Sequence, residues 1–269
     1  MDAAPERATT RPATAARIYD FLLGGVYNFP ADREVAQKLI AGMPSARMGA
    51  RANRAFLGRA VRYLVDQGID QFVDIGSGIP TEGNVHQIAQ RANPQVRVAY
   101  VDIDPLAVAE SLDVLDGDPR ATAVCGDLRQ PQAILDHPEI NRLIDLSRPA
   151  GLILNAVLHF IPDDEQAYGA VRLLQGALVP GSYMGLSHGA TETAPREEYE
   201  SVERAYDQRT MTGLAKPRDH AEVAQFFTGW DLVEPGLVWL SEWRPDPGQS
   251  PEFEDPTISV GWAGVARKP

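Results

Sequence analysis

Apolar residues recur along this chain with two different periods, and the change of period divides the sequence into two parts. In the segments 14–23, 31–40 and 51–67 they return every three or four residues, which predicts three amphipathic helices. From residue 71 onward, short apolar runs alternate with helical or irregular stretches. The runs at 71–75, 96–102, 121–125, 151–155 and 182–187 predict buried strands. This alternation indicates βαβ units and a parallel sheet.

The C-terminal part predicts further helices and two final strands. Helices are expected at 163–178, 195–209 and 219–227, the last with Asp219 and Glu222 spaced as a capping box. Apolar runs at 231–240 and 257–266, joined by the proline-rich loop 244–256, predict an antiparallel hairpin. We therefore expect an α/β fold with a Rossmann-like, mostly parallel seven-stranded sheet, a terminal antiparallel hairpin and an N-terminal helical lid.

The same patterns suggest three parts along the chain. Residues 1–13 lack an apolar period and are expected to form a disordered tail. Residues 14–68 are expected to form a helical segment that covers the site, and residues 69–269 the Rossmann-like domain. The oligomeric state is not predicted.

Charge and cysteine content narrow the function. With 25 basic and 37 acidic residues among 269, the formal net charge is −12, so we expect neither a nucleic-acid nor a membrane partner. Cys125 is the only cysteine and no histidines have metal-ligand spacing, so we expect no disulfide and no catalytic metal. The sequence has no signal-peptide pattern and no apolar stretch of membrane length, and we expect a cytoplasmic location.

A glycine turn follows the first predicted strand, at the sheet edge where ligands bind in open parallel sheets. Gly76 permits a tight turn, Ser77 follows it, and Gly78 lets the backbone approach a ligand closely. Asp74, still on the strand, can accept a hydrogen bond from the ammonium end of an amino-acid moiety. Taken alone, the pattern is explained equally well by a simple tight turn.

Polar residues follow each of the next three predicted strands. Asp102 lies 24 residues after Gly78, near the offset at which an acid binds ribose hydroxyls, whereas Asp104 precedes a proline and is expected to start a helix. Asp127 follows the third strand, where it can accept from an adenine amino group or cap a helix. Asn155 ends the fourth strand. Because these strand ends meet at one edge, we expect one nucleotide-type site there.

The ligand at this site is predicted from what the glycine turn lacks. A dinucleotide motif has a third glycine where this chain has Thr81, and no Ser-Tyr-x-x-x-Lys relay follows. S-adenosylmethionine has no pyrophosphate and carries a positive sulfonium, so it favours carboxylates around it. Asp74, Asp102 and Asp127 satisfy that requirement better than they would satisfy a nicotinamide dinucleotide.

The motifs VDIGSGIPT, YVDIDP, VCGDLR and ILNAVLHFIPDDE together resemble the successive motifs of class I S-adenosylmethionine-dependent methyltransferases. With the opening segment ARIYDFLLGGVYNFPADREVA, the chain more closely resembles a bacterial S-adenosyl methyltransferase family whose members mostly lack an assigned substrate. The resemblance extends from residue 14 to the C-terminus. The sequence departs from the broad superfamily at Pro80, where a glycine is frequent.

The resemblance implies which residues contact the cofactor. The N-terminal residues Tyr19, Gly25 and Asn28 would fold over its methionine end, although Tyr19 is explained equally well as a core aromatic residue. His159, in the motif after the fourth strand, would shape the cofactor pocket. The remaining implied contacts are Asp74, Gly76, Ser77, Gly78, Asp102, Ile103, Asp127, Leu128, Asn155 and Ala156.

The implied reaction is methyl transfer from S-adenosylmethionine to a small-molecule acceptor, at an oxygen, nitrogen or carbon atom. A general base is needed only for a protonated nucleophile, and His188, after the fifth strand, is the candidate, with a structural role as the alternative. Tyr199, Val202 and Tyr206 in the helix 195–209 would wall the acceptor pocket or pack into the core. The alternative functions are a regulatory protein that binds the cofactor without turnover and, less favoured, a nicotinamide-dependent oxidoreductase.

Overall fold

The computed structural model describes residues 12–79, 83–192, 215–246 and 255–269. Several predictions therefore lie outside the described residues: most of the tail 1–13, positions 80 and 81, the helix 195–209 with its three named side chains, and residues 247–254 of the proline-rich loop. None of the described helices is long and apolar enough to cross a lipid bilayer.

Three helices precede the first strand, as predicted. They are α1 (Ala15–Leu23), α2 (Pro30–Gly42) and α3 (Ala46–Asp66), and α3 begins five residues earlier than its apolar period indicates. Thr14 caps α1 by accepting a hydrogen bond from the Arg17 backbone N–H, and Gly24 ends it at a φ of 87°.

A mostly parallel sheet follows, with helices on both faces. Its parallel strands are β1 (Gln71–Ile75), β2 (Arg97–Asp102), β3 (Ala121–Cys125), β4 (Gly151–Asn155) and β5 (Tyr183–Gly189). The connecting helices are α4 (Val85–Ala92), α5 (Pro105–Leu115), α6 (Pro131–Leu135), α7 (Pro138–Leu143), α8 (Asp164–Ala177) and α9 (His220–Ala224). The spatial order β3-β2-β1-β4-β5 reverses direction between β1 and β4, so a ligand crevice is expected at the carboxyl ends of these two strands.

The C-terminal edge confirms the antiparallel closure and corrects its detail. The predicted strand 231–240 is two short strands, β6 (Asp231–Leu232) and β7 (Val238–Trp239), because Pro235 and Gly236 make a turn between them. Both pair antiparallel with β8 (Gly261–Arg267), whose other side pairs with β5. Among the described residues, eight strands thus occupy the seven predicted positions. Residues 256–259, expected in part to be strand, form a 3₁₀ turn.

The apolar residues form three cores. Successive strand residues face opposite sides of the sheet, so Phe72 packs with Phe56 of α3 on one face, while Val73 packs with Leu174 of α8 on the other. A third core joins α1, α2 and the beginning of α3, with Phe160 packed against it. This third core stands over the carboxyl edge of the sheet and leaves a space beneath it.

Candidate functional site

A cavity of about 340 Å³ lies between the carboxyl edge of the sheet and the helices α1–α3. Its wall brings together residues from both parts of the chain, and most of the predicted site residues belong to it. The predicted residues that line it are Tyr19, Asp74, Gly76, Ser77, Gly78, Asp102, Ile103, Asp127, Leu128, Asn155, Ala156, His159 and His188.

The glycine turn of this wall needs glycine at both positions. Gly76 has a φ of 74° and Gly78 a φ of 67°, in the region that residues with a Cβ rarely adopt. A Cβ at Gly76 would also lie 2.6 Å from Cβ of Val157, beyond the end of β4. The turn after β1 therefore lies closer to the Val157 side chain than a residue with a Cβ at position 76 would allow.

Two carboxylates face the cavity beside this turn. Asp102 accepts hydrogen bonds from the backbone N–H of Gly78 at 2.7 Å and of Asp104 at 2.9 Å. Burial raises the pKa of Asp102 to about 6. Burial, together with the charge of Asp102, raises the pKa of Asp74 to about 7, although Arg54 nearby opposes that shift. Both carboxylates are poorly solvated, so a cationic ligand beside them would stabilise their ionised forms.

Asp104 starts a helix, as predicted, and has a second role. One carboxylate oxygen accepts from the Leu106 backbone N–H, while the other accepts from Arg17 Nη1 at 3.1 Å and from the Thr14 hydroxyl at 2.8 Å. Arg17 Nε also donates to Asp32 of α2 at 2.9 Å, and all three charged side chains are buried. We call Arg17, Asp32 and Asp104 the ionic clamp, because they join α1 and α2 to the loop after β2.

Asp127 and Leu128 line the cavity after β3. Asp127 accepts hydrogen bonds from the backbone N–H and the guanidinium of Arg129, the latter ion pair at 2.8 Å. The N-cap of the next helix is Gln130, so Asp127 does not cap that helix. Its carboxylate is therefore placed by a local turn that leaves it in the cavity wall.

A hydrogen-bonded network of uncharged side chains ties α1 and α3 to the ends of β4 and β5. Asn53 Nδ2 donates to the Tyr19 hydroxyl at 2.9 Å, and the Ser187 hydroxyl lies 2.6 Å from Asn53 Oδ1 and 2.8 Å from Asn155 Oδ1. Ala156, whose N–H donates to Ser187, has a φ of 54°. The left-handed backbone there is strained, which is common at functional sites.

Sequence patterns alone did not identify Asn53 or Ser187. Asn53 lies on what the apolar period marks only as the polar face of a helix, and Ser187 is one small residue at the end of a strand. Of the two roles left open for Tyr19, the core role is present, because its ring packs against the third core. Its hydroxyl belongs to the network, and its contact with the cofactor stays a prediction.

Gly25 and Asn28 do not belong to the cavity wall. Asn28 Nδ2 donates to the Asp20 carboxylate at 2.8 Å and to the Gly25 carbonyl at 2.9 Å. A Cβ on Gly25 would lie 2.5 Å from Cγ of Asp20. These residues fold the connection between α1 and α2 around Asp20, so any effect on a ligand would be indirect.

The structure argues against acid–base work by His188. Nδ1 lies 2.9 Å from the Gly189 carbonyl, and Nε2 lies 2.9 Å from Nη1 of Arg218. A neutral imidazole has one donor and one acceptor, and both are engaged here. Burial also lowers the pKa of His188 well below its usual range. These contacts favour the structural role that was the alternative prediction for His188.

His159 occupies a different environment. It lines the cavity in the 3₁₀ turn Leu158–Phe160, and burial, with the charge of Arg218, lowers its pKa to about 4. Its Nδ1 is buried and has no hydrogen-bond partner among the residues that the structure describes. The ring is thus a neutral group in the wall that still has hydrogen-bonding capacity.

Arg218 is the residue that fixes this turn. It is fully buried and donates to the carbonyls of Leu158 and Ile161, at 3.2 and 2.9 Å, and to Asp164 at 2.9 Å. No sequence pattern singles out Arg218, because a single arginine in an irregular stretch is usually exposed.

Comparison with known proteins adds a family to this geometry. Over residues 1–269 the chain matches the sequence profile of a family described as S-adenosyl methyltransferase. A candidate methyltransferase from Thermobifida fusca is 38% identical, with a TM-score of 0.87, covering 98% of this chain and 97% of that one. A DUF574 family protein from Streptomyces avermitilis is 41% identical, with a TM-score of 0.90 and coverage of 96% and 98%.

More distant structures share the fold alone. An O-methyltransferase family protein from Burkholderia thailandensis is 14% identical, with a TM-score of 0.51, covering 82% of this chain and 60% of that one. The comparison with curated proteins finds no match.

Proposed function

The chain belongs to the S-adenosyl methyltransferase family, whose cofactor is S-adenosylmethionine, and we propose that it transfers the cofactor's methyl group to a small-molecule acceptor bound in the same cavity. The observation that carries this proposal is the pair of buried carboxylates, Asp74 and Asp102, beside the glycine turn. Carboxylates with a raised pKa favour a ligand that is cationic, as the ammonium and sulfonium groups of this cofactor are.

The residues of the wall fit the cofactor at several points. Asp102 is proposed to accept from the ribose hydroxyls and Asp74 to face the ammonium group, each with lone pairs left for a ligand. Asp127 and Leu128 are proposed to contact the adenine ring. The other proposed contacts are Tyr19, Gly76, Ser77, Gly78, Ile103, Asn155 and Ala156.

The protein's contribution to catalysis is alignment in a covered space. When bound, the cofactor supplies a methyl group on a positively charged sulfur, which makes that carbon electrophilic. Holding two reactants in line can lower a barrier by roughly 7–11 kcal/mol at best. The third core and the network around Asn53 keep α1 and α3 over the sheet edge, which supports exclusion of water from the reacting atoms.

Calorimetry with S-adenosylhomocysteine tests the placement of the cofactor. Asp102→Ala removes the proposed ribose acceptor, so the affinity should fall at least about tenfold, or about 1.4 kcal/mol. Asp113→Ala, an exposed acid on α5, is the matched control and should leave the affinity unchanged. Equal affinities for the wild type and Asp102→Ala would contradict the assignment.

Transfer of a labelled methyl group tests the acceptor. The protein is incubated with methyl-labelled S-adenosylmethionine and with either the metabolites or the macromolecules of a bacterial extract. We expect label in the metabolite fraction. Label that enters protein or nucleic acid instead would contradict a small-molecule acceptor, while leaving the cofactor assignment intact.

A further inference from the structure

The cavity has two halves with different linings. The half above the ends of β1, β2 and β3 contains Asp74, Asp102 and Asp127, and we call it the carboxylate half. The half above the ends of β4, β5 and β8 lies under the third core, and we call it the apolar half. Since the proposed cofactor contacts lie mainly in the carboxylate half, the apolar half is the space left for an acceptor.

The N-terminal helices close the apolar half. Leu22 and Met43 belong to the third core, which Phe160 and Val260 contact from the sheet side. Gly49 of α3 lies so close to the 3₁₀ turn before β8 that a Cβ there would be 3.3 Å from the Ser259 carbonyl oxygen. A small molecule in this half would therefore meet a mainly aliphatic and aromatic wall, in which the polar groups of Asn53, Asn155 and Ser187 are uncharged and hydrogen-bonded to one another.

Charge is distributed unequally between the halves. Within the described part of the wall, the charged side chains are Arg54, Asp74, Asp102, Asp104, Asp127 and Arg129. Arg54 lies beside Asp74, Asp104 belongs to the ionic clamp, and Arg129 is paired with Asp127. The described lining of the apolar half thus offers an acceptor no charged group.

His159 is a polar residue of the apolar half that lies outside the network of Asn53, Ser187 and Asn155. Its ring packs against Phe160 at a centroid distance of 4.4 Å and edge-on to His188 at 5.6 Å. Arg218 donates hydrogen bonds to the carbonyls of Leu158 and Ile161 and contacts Nε2 of His188. These contacts fix the backbone around His159 and the ring of His188 beside it. The unpartnered Nδ1 of His159 leaves hydrogen-bonding capacity that nothing in the described structure uses.

We propose that the acceptor is an uncharged molecule with an apolar body and a hydrogen-bonding group that faces His159, which makes His159 a specificity-determining residue. This inference rests on the proposed function. An ionised acceptor would lose its hydration without gaining a counter-charge from the described residues of this wall, whereas an apolar body gains about 25 cal/mol for each Å² it buries. A neutral imidazole can donate to or accept from a hydroxyl, amine or carbonyl group.

Four probes with one shared ring test this proposal: para-cresol, para-xylene, para-toluate and para-methylbenzylammonium. Their dissociation constants are measured by ligand-observed NMR on protein saturated with S-adenosylhomocysteine. Para-cresol and para-xylene should bind, and both ionised probes should bind at least about tenfold more weakly. Equal binding by an ionised probe, or no binding of para-cresol at millimolar concentration, overturns the proposal.

Variants of His159 test the polar contact. Para-cresol should bind a few-fold more tightly than para-xylene, as one hydrogen bond of about 1 kcal/mol predicts. His159→Phe should abolish this preference, and His159→Gln, which keeps a hydrogen-bonding group, should restore part of it. A preference that survives in His159→Phe would contradict the assignment.

A charge placed in the wall tests the apolar half itself. Met43→Glu should weaken para-cresol binding and strengthen para-methylbenzylammonium binding, while Met43→Leu should change neither. If Met43→Glu leaves the preference for neutral probes unchanged, the wall does not select by charge. Binding of S-adenosylhomocysteine by each variant shows whether it is folded. A wild type that does not bind S-adenosylhomocysteine would contradict the proposed function, and not only the inference about the acceptor.

Discussion

Different kinds of interaction attach the helical cover to the two halves of the cavity. Over the carboxylate half, the ionic clamp of Arg17, Asp32 and Asp104 fixes α1 and α2 through buried charges. Over the apolar half, Asn53 of α3 joins Tyr19 of α1 to Ser187 of β5 through neutral hydrogen bonds. A buried charge requires its partner, whereas a neutral group loses only a modest net energy when its bond is broken. We therefore expect the cover to depend much more on the first attachment than on the second.

Breaking the ionic clamp should have the largest effect. Arg17→Met leaves Asp32 and Asp104 buried without their cation, so the free energy of unfolding should fall by about 3–5 kcal/mol. Denaturant unfolding measures this loss. Arg91→Met, at an exposed site on α4, is the control and should be nearly neutral. A loss below about 1 kcal/mol in Arg17→Met would mean that the ionic clamp stabilises the protein no more than a surface salt bridge does.

The second-largest effect should be that acid weakens ligand binding in the carboxylate half, because the pKa values of its buried carboxylates are raised. In the free protein, Asp74 takes up a proton as the pH falls through about 7 and Asp102 as it falls through about 6. A cationic ligand favours the ionised forms, so affinity is highest above these values and is lost below them. From about pH 8 to about pH 6, the affinity for S-adenosylhomocysteine should fall about tenfold.

A variant assigns this pH dependence to its residue. Asp74→Asn should remove most of the change between pH 8 and 6 and leave a weaker affinity that varies little there. Calorimetry at a series of pH values provides the comparison. A wild-type affinity that stays constant over this range would mean that neither carboxylate meets a cation.

The neutral attachment should have the smallest effect. Tyr19→Phe removes a hydroxyl that accepts from Asn53, and the free energy of unfolding should fall by about 1 kcal/mol. The same denaturant titration measures it. A loss as large as that of Arg17→Met would show that the two attachments do not differ as described.

Much of the fold was predictable because its signals are local. The strands β1, β3 and β4 have the predicted bounds, since each is a short apolar run between clear interruptions. The break between β6 and β7 was missed, because the apolar pattern of 231–240 continues through Pro235 and Gly236. The period of α3 likewise becomes apparent only at residue 51, although the helix begins at Ala46.

The site was predictable where one residue type at a strand end has a direct reason, as with Gly76 and Asp102. It was not predictable where a role depends on distant partners. Asp104 could be expected to start α5, but nothing local shows that Arg17 reaches it from α1. Its position after β5 makes His188 a candidate general base, but Arg218, 30 positions away in the chain, contacts its Nε2. Such contacts arise from tertiary packing, and no period or motif in one sequence encodes them visibly.

A crystal structure with S-adenosylhomocysteine bound tests the central claim, that the two halves divide the cofactor from its acceptor. We expect the ribose hydroxyls on Asp102, the ammonium group facing Asp74, and the sulfur directed toward the apolar half beside His159. The volume beyond the sulfur should be bounded by the third core. A ligand whose ribose or adenine fills the apolar half would contradict this account.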